Sequence, residues 1–246
     1  MTVATRYPNA PITEAIIDLR VTLQEGIDVA RLKLQCDDVL ASYPKQEELI
    51  RAVGQMVVAP HGGTASVQQS PLGWKFTSID QKQVLQSREN GFAFSRLAPY
   101  DSWGPFRDEA RRLWELYRGT VEPISVTRVA VRYINRIDIP GESVDLKEYF
   151  RTSPEISPEL PQHLDGYFMQ LRMPYPDISS QCVINQTIAP SSKDNVVSVI
   201  LDIDLFCVKD VPLEEVGIWE RFEGLHAAKN KIFESCITDN TRSLFT

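Results

Sequence analysis

At 246 residues, with 43% hydrophobic and 24% charged side chains, the chain is long enough for one large domain or two ordinary ones and has the makeup of a globular protein. A net charge of −7 argues against a general phosphate-backbone binder, so no nucleic-acid partner is expected. No apolar run approaches the roughly 20 residues of a membrane helix, and MTVATRYPNAPITEA lacks the apolar core of a secretory signal, so no membrane partner and a cytoplasmic location are expected.

The first strand signal is AIIDLRVTL at 15–23, where Ala15, Ile17, Leu19, Val21 and Leu23 alternate with Asp18, Arg20 and Thr22. Helical spacing of Val29, Leu32, Cys36, Val39 and Leu40 predicts one helix over about 28–42, ended by Tyr43-Pro44. Short strands are expected around 50–59, 73–79, 83–88 and 91–97, the last two joined as a hairpin at Glu89-Asn90-Gly91. His61-Gly62-Gly63-Thr64 reads as a turn, since a phosphate loop needs fuller glycine spacing and a lysine. The first half closes with a helix in DSWGPFRDEARRLWELYRG, capped by Asp101 or Ser102, stopped at Gly119, and striped by Trp103, Phe106, Ala110, Leu113, Trp114 and Tyr117.

The second half opens on RVAVRYINRIDI at 128–139. Val129, Val131, Tyr133, Ile137 and Ile139 form one face, and Arg128, Arg132, Arg136 and Asp138 the other. A short helix in DLKEYFR, a proline-bearing loop, strands near 166–173, 181–188 and 196–206, and a helix over about 213–236 follow. Trp219, Phe222 and Phe233 in that helix repeat the offsets of Trp103, Phe106 and Tyr117. The fold class expected is α+β: tandem strand-helix-strand-strand-strand-helix units, about 10–120 and 127–238, in one domain spanning 1–246 with a tail at 239–246. Their strands would merge into a curved, mainly antiparallel sheet with helices on one face.

That arrangement gathers the charges. Asp18, Arg20, Arg132, Arg136, Asp202 and Asp204 share the face opposite the helices, and Arg20, Arg132, Arg136, Asp202 and Asp204 are the candidate ligand-binding residues. The competing readings are a solvated face of cross-strand ion pairs and a barrel interior that demands full pairing. No catalytic residue, metal site or cofactor is expected. The cysteines Cys36, Cys182, Cys207 and Cys236 are scattered and read as reduced thiols, His226 falls on a core stripe, and Asp202 and Asp204 lie among arginines that repel a cation. Lys229 and Asn230 interrupt the apolar stripe of the last helix, while ITDNTRSLF reads as a cap that tucks Leu244 and Phe245 back onto the core.

The ordered set RYPNAPITEAIIDLR, GFAFSRLAPYDSW, RLWELYR, RVAVRYINRIDIP, VILDIDLF and HAAKNKIFESCITDNTRSLF resembles a sporadically distributed family of uncharacterised bacterial proteins of about this length. The resemblance covers nearly the whole chain. It implies a cytosolic bacterial protein that is one unit from end to end, and no activity. The element order is also similar to the duplicated strand-helix-strand-strand modules of GyrI-like small-molecule-binding domains, a likeness of fold alone. The expected function is non-enzymatic binding of a small anionic ligand or peptide in a charged groove between the repeats. A protein-interaction component of a mobile defence or toxin–antitoxin module is the alternative, and an enzyme the weaker third. A homodimer is left open.

Overall fold

In the computed structural model the described residues are 7–34, 36–59, 62–209, 211 and 214–246, with the side chains of 57–59 excepted. The turn expected at 61–64 therefore begins outside the described residues, because His61 is not among them.

The strands are β1 (Ile12–Thr22), β2 (Lys45–Ala59), β3 (Gly62–Thr77), β4 (Gln83–Arg88), β5 (Gly91–Leu97), β6 (Ser125–Pro140), β7 (Phe168–Tyr175), β8 (Ser180–Ala189) and β9 (Val196–Cys207). The helices are α1 (Asp37–Ser42), α2 (Trp103–Val121), α3 (Leu146–Tyr149), α4 (Glu215–Cys236) and α5 (Asp239–Ser243). All nine strands form one antiparallel sheet in the order β2-β3-β4-β5-β1-β6-β9-β8-β7. β1 and β6 lie side by side near its middle, and each is followed outward by its own half's strands in reverse chain order. The chain is α+β, with an open antiparallel sheet.

Alternation decides which side of the sheet is core. Ala15, Ile17 and Leu19 of β1, Val129, Val131, Tyr133, Ile137 and Ile139 of β6, and Val199, Leu201, Ile203 and Leu205 of β9 are all buried. Both long helices pack on this side. Phe106 of α2 stacks on Phe94 of β5, with ring centroids 5.5 Å apart, and Trp114 meets Phe92 at 5.7 Å. Ile218, Phe222, Leu225 and Ile232 of α4 join the same cluster. The C-terminal tail folds back as its sequence suggests: Phe245 is buried and meets Tyr7 and Phe233.

Several local expectations are corrected. The helix expected over 28–42 is broken into a 3-10 turn, Val29–Lys33, and α1, because Leu34 takes a left-handed conformation, φ 41°, that no helix carries. Helix α2 does not stop at Gly119. It runs to Val121 and closes at Glu122, whose N–H donates to the Arg118 carbonyl. Ser102 occupies the N-cap position without a side-chain bond, while Asp101 pairs with Arg96 at 3.1 Å. The hairpin at 89–91 forms with Glu89 and Asn90 as its turn, since Gly91 already pairs with Arg88. Glycine is required at 91 by the neighbouring strand: a Cβ there would lie 2.1 Å from the Leu19 carbonyl oxygen. The largest difference is in β2 and β3, expected as short segments and found as a hairpin of 15 and 16 residues.

Candidate functional site

The side of the sheet away from the helices carries a stripe of charge along β4, β1, β6 and β9. Register places it there: Asp18 pairs with Ala130, Arg20 with Arg128, and Arg132 with Asp204, so their side chains emerge on one face. At one end, Arg20 Nε donates to Asp18 Oδ1 at 3.2 Å and Arg88 Nη2 to Asp18 Oδ2 at 2.9 Å. Arg128 is the bridge. Its Nη1 donates to Asp18 Oδ1 at 2.7 Å, and its Nη2 to Asp204 Oδ1 and Oδ2 at 3.0 and 2.8 Å. The guanidinium also lies over the Phe206 ring, 4.5 Å from its centroid.

Arg132 grips Asp202 through both edges, Nε to Oδ1 at 2.8 Å and Nη2 to Oδ2 at 2.7 Å, and Asn185 donates to the same Oδ2 at 3.0 Å. Asp202 is 7% exposed and Arg132 43%, so the pair presents its cation to solvent and hides its anion. Arg136 stands at the far end, donating to Asp138 Oδ1 at 3.1 Å, the Pro190 carbonyl and Ser198 Oγ at 2.8 Å, while Lys193 holds the other Asp138 oxygen at 2.9 Å.

The five residues singled out from sequence thus share one face, but not one network. Arg20 and Asp204 join through Asp18 and Arg128, Arg132 pairs with Asp202 beside them, and Arg136 belongs to a separate cluster. Two members were missed. Arg128 lies in the opening stretch of the second half and was not carried into the site. Arg88 ends β4 and is brought to Asp18 only by the pairing of β4, β5 and β1.

Burial sets the electrostatics. Asp18, Arg88, Arg128 and Asp204 are between 13% and 21% exposed, although no helix covers them. Burial pushes the Asp204 carboxyl upward, against the lowering pull of Arg128 and Arg132. Burial lowers Arg88, and hydrogen bonding to Asp202 raises Arg132. Glu14 also acts on Arg132, so the guanidiniums of Arg20, Arg88, Arg128 and Arg132 are matched in number by the carboxylates of Glu14, Asp18, Asp202 and Asp204.

Two open cavities, about 730 and 610 Å³, lie around α3 and the loop after it; the smaller is also lined by Ser198, which bonds to Arg136, while Arg20, Arg128 and Arg132 line neither. The smaller contains Ser143, whose Oγ is 3.5 Å from His163 Nδ1, and Asp165, 3.2 Å from His163 Nε2. This string lacks what a hydrolytic triad needs, because Asp165 is 99% exposed and cannot hold the ring in a fixed tautomer. Among the described residues no group of three His, Cys, Asp or Glu side chains is placed to hold a metal ion.

On the helix side, His226 stacks on Trp103 at 4.3 Å with planes 4° apart. One turn on, the Lys229 ammonium sits 3.6 Å from the centroid of the Tyr133 ring, and Tyr133 shares a 3.0 Å hydroxyl contact with Tyr100. Burial lowers Lys229 to about 7 and, with Lys229 itself, lowers His226 to about 4. Tyr133 and Lys229 are buried and Tyr100, Trp103 and His226 half-buried, so the cluster reads as the edge of the core. Among the described residues no helix is long and apolar enough to cross a membrane. Compared with protein-family models and with curated proteins, the chain matches none.

Proposed function

We infer that the protein is a non-enzymatic binding protein that takes an acidic peptide segment along the arginine stripe of its open sheet face. The observation that carries this reading is the asymmetry of the Arg132–Asp202 pair, whose carboxylate is buried and whose guanidinium is exposed. An anionic side chain reaching Arg132 meets a guanidinium that Asp202 already holds in place, so little side-chain entropy is lost on binding. Arg132 lines neither of the two cavities, which favours an extended segment over a small ligand, which needs concavity. The same reading takes the two halves as repeats of one unit, supported by the strand order mirrored about β1 and β6. It also retains the bacterial family resemblance and a cytoplasmic location as inferences from the ordered motifs.

The test is fluorescence anisotropy with a panel of extended peptides of varied charge. Acidic members should bind, the affinity should fall as salt rises, and Arg132→Gln should weaken binding about tenfold, the scale of one charged hydrogen bond. The variant also leaves the buried Asp202 carboxylate with Asn185 alone, so its melting temperature should fall, and binding is compared at a temperature where both proteins are folded. Equal binding of neutral and acidic peptides, or an unchanged affinity in Arg132→Gln, would remove the stripe from the function.

A further inference from the structure

The β2–β3 hairpin outruns the sheet it belongs to. β4 pairs with β3 only from Gly73 to Thr77, whereas β2 and β3 remain paired from Arg51↔Ser70 out to Ala59↔Gly62. At roughly 3.3 Å per residue this is a two-stranded ribbon about 30 Å long, with no third strand on either edge among the described residues. Every described side chain from Ile50 to Pro71 is exposed.

The ribbon is nevertheless two-faced. Cross-strand partners point the same way, so Ile50, Ala52, Gly54 and Met56 share a face with Pro71, Val67 and Ala65, and Gln69 is the one polar residue among them. The other face carries Arg51, Gln55, Ser66, Gln68 and Ser70 beside Val53. Ile50, Met56 and Val67 are 55%, 77% and 67% exposed, all on the apolar face. An isolated two-stranded ribbon is marginal in water, and one with a bare apolar face and two free edges is a template for association.

We propose that this ribbon is an exchange arm, by which two copies of the chain form a two-fold dimer. Charge and area both select a second copy. The chain carries −7 overall, so two copies repel over most of their surfaces, but between 51 and 70 the only formal charge is Arg51. The apolar face offers about 300 Å², roughly 30 by 10 Å, against the ~800 Å² per partner of a stable complex. A partner that merely receives the ribbon gains that area once, whereas a second copy gives its own ribbon in return. More apolar surface waits at the same end of the sheet. Exposed Ile124 bonds to the end of β1 and exposed Val208 follows the end of β9, and both ends lie where the β4–β5 turn and the root of the ribbon lie.

The test is sedimentation equilibrium over a micromolar dilution series on wild type, on Met56→Asp/Val67→Asp, and on a chain in which an Asn-Gly turn replaces residues 52–69. Wild type should sediment at twice the chain mass. Both variants should sediment as monomers, at least tenfold weaker in association, and the shortened chain should keep its melting transition because the cut lies outside the core. Hydrogen exchange on wild type is the second measurement, with amides of 62–70 protected at high concentration and unprotected on dilution. A wild-type monomer throughout, a shortened chain that still dimerises, ribbon amides whose protection ignores dilution, or a monomer that engages a different protein through the ribbon would each overturn the proposal.

Discussion

Arg128 and Arg136 stand on the same face of the same strand, yet their loss should cost different amounts. Arg128 ties Asp18 to Asp204, and without it two carboxylates face each other in a desolvated setting that already pushes Asp204 upward. Breaking a buried pair costs ~3–5 kcal/mol, but with side chains here 13–21% exposed water shares the load, so Arg128→Gln should cost about 2 kcal/mol. Arg136→Gln should cost less than about 1 kcal/mol, because Asp138 keeps Lys193 and Ser198. Urea unfolding of both variants decides it, and equal losses would mean that the stripe does not act as a network. The split also explains how much of the site was legible. Period-two alternation placed Arg20, Arg132, Arg136, Asp202 and Asp204 on one face, because that depends only on neighbours in sequence. It could not single out Arg128 as the bridge or bring in Arg88, because both roles come from register across four strands, which local pattern leaves unset.

Trp103 and Trp219 stand at the same sequence spacing from the later aromatics of α2 and α4, but Trp103 opens its helix and Trp219 is the fifth residue of its own, and the elements around them make them unequal. Trp219 is buried, whereas Trp103 is half-buried, stacks on His226, and donates to Glu223 at 2.9 Å. Trp219→Ala should therefore cost about 3–5 kcal/mol, as large core truncations do, and Trp103→Ala about 1–2 kcal/mol, the worth of an aromatic stack with modest burial. Chemical denaturation of the two variants checks the difference, and a reversed order would mean that α2, not α4, anchors the core. Long elements with strong periodicity were readable in advance: α2, α4, β1, β6 and β9 lie within a few residues of their expected bounds. The misses are where the chain departs from its local rule. Leu34 breaks a periodic run by one left-handed residue. The outer part of β3, GGTASVQQSP, reads as loop by composition and becomes strand only because β2 supplies its partner.

The molecule as a whole has a pH profile set by a buried lysine and a half-buried histidine on its helix side. Lys229 falls from 10.5 to about 7 through burial, with Glu234 pulling the other way, and His226 falls from 6.5 to about 4 through burial and Lys229, with Arg107 lowering and Glu223 raising it. In both, the unfolded chain binds more protons than the folded one. Stability therefore rises with pH between about 4 and 6.5 for His226 and between about 7 and 10.5 for Lys229. Asp204, raised by burial, has the opposite sign in the carboxylate range, and Tyr100 and Tyr133, raised above 10.0, reverse the trend once the unfolded tyrosines ionise. The growing negative charge of the chain opposes the rise, but at physiological salt it is screened beyond about 8 Å. The melting temperature at fixed ionic strength should thus climb by several degrees from about pH 6 to about pH 9. Lys229→Met should flatten the upper part of the climb and melt higher than wild type near neutral pH. The contact with Tyr133 is worth ~2 kcal/mol at most, less than the several kcal/mol of burying an ammonium that has no carboxylate partner among the described residues. A wild-type profile that is flat above neutrality would mean that water reaches the ammonium and that α4 packs less tightly on β6 than its geometry indicates.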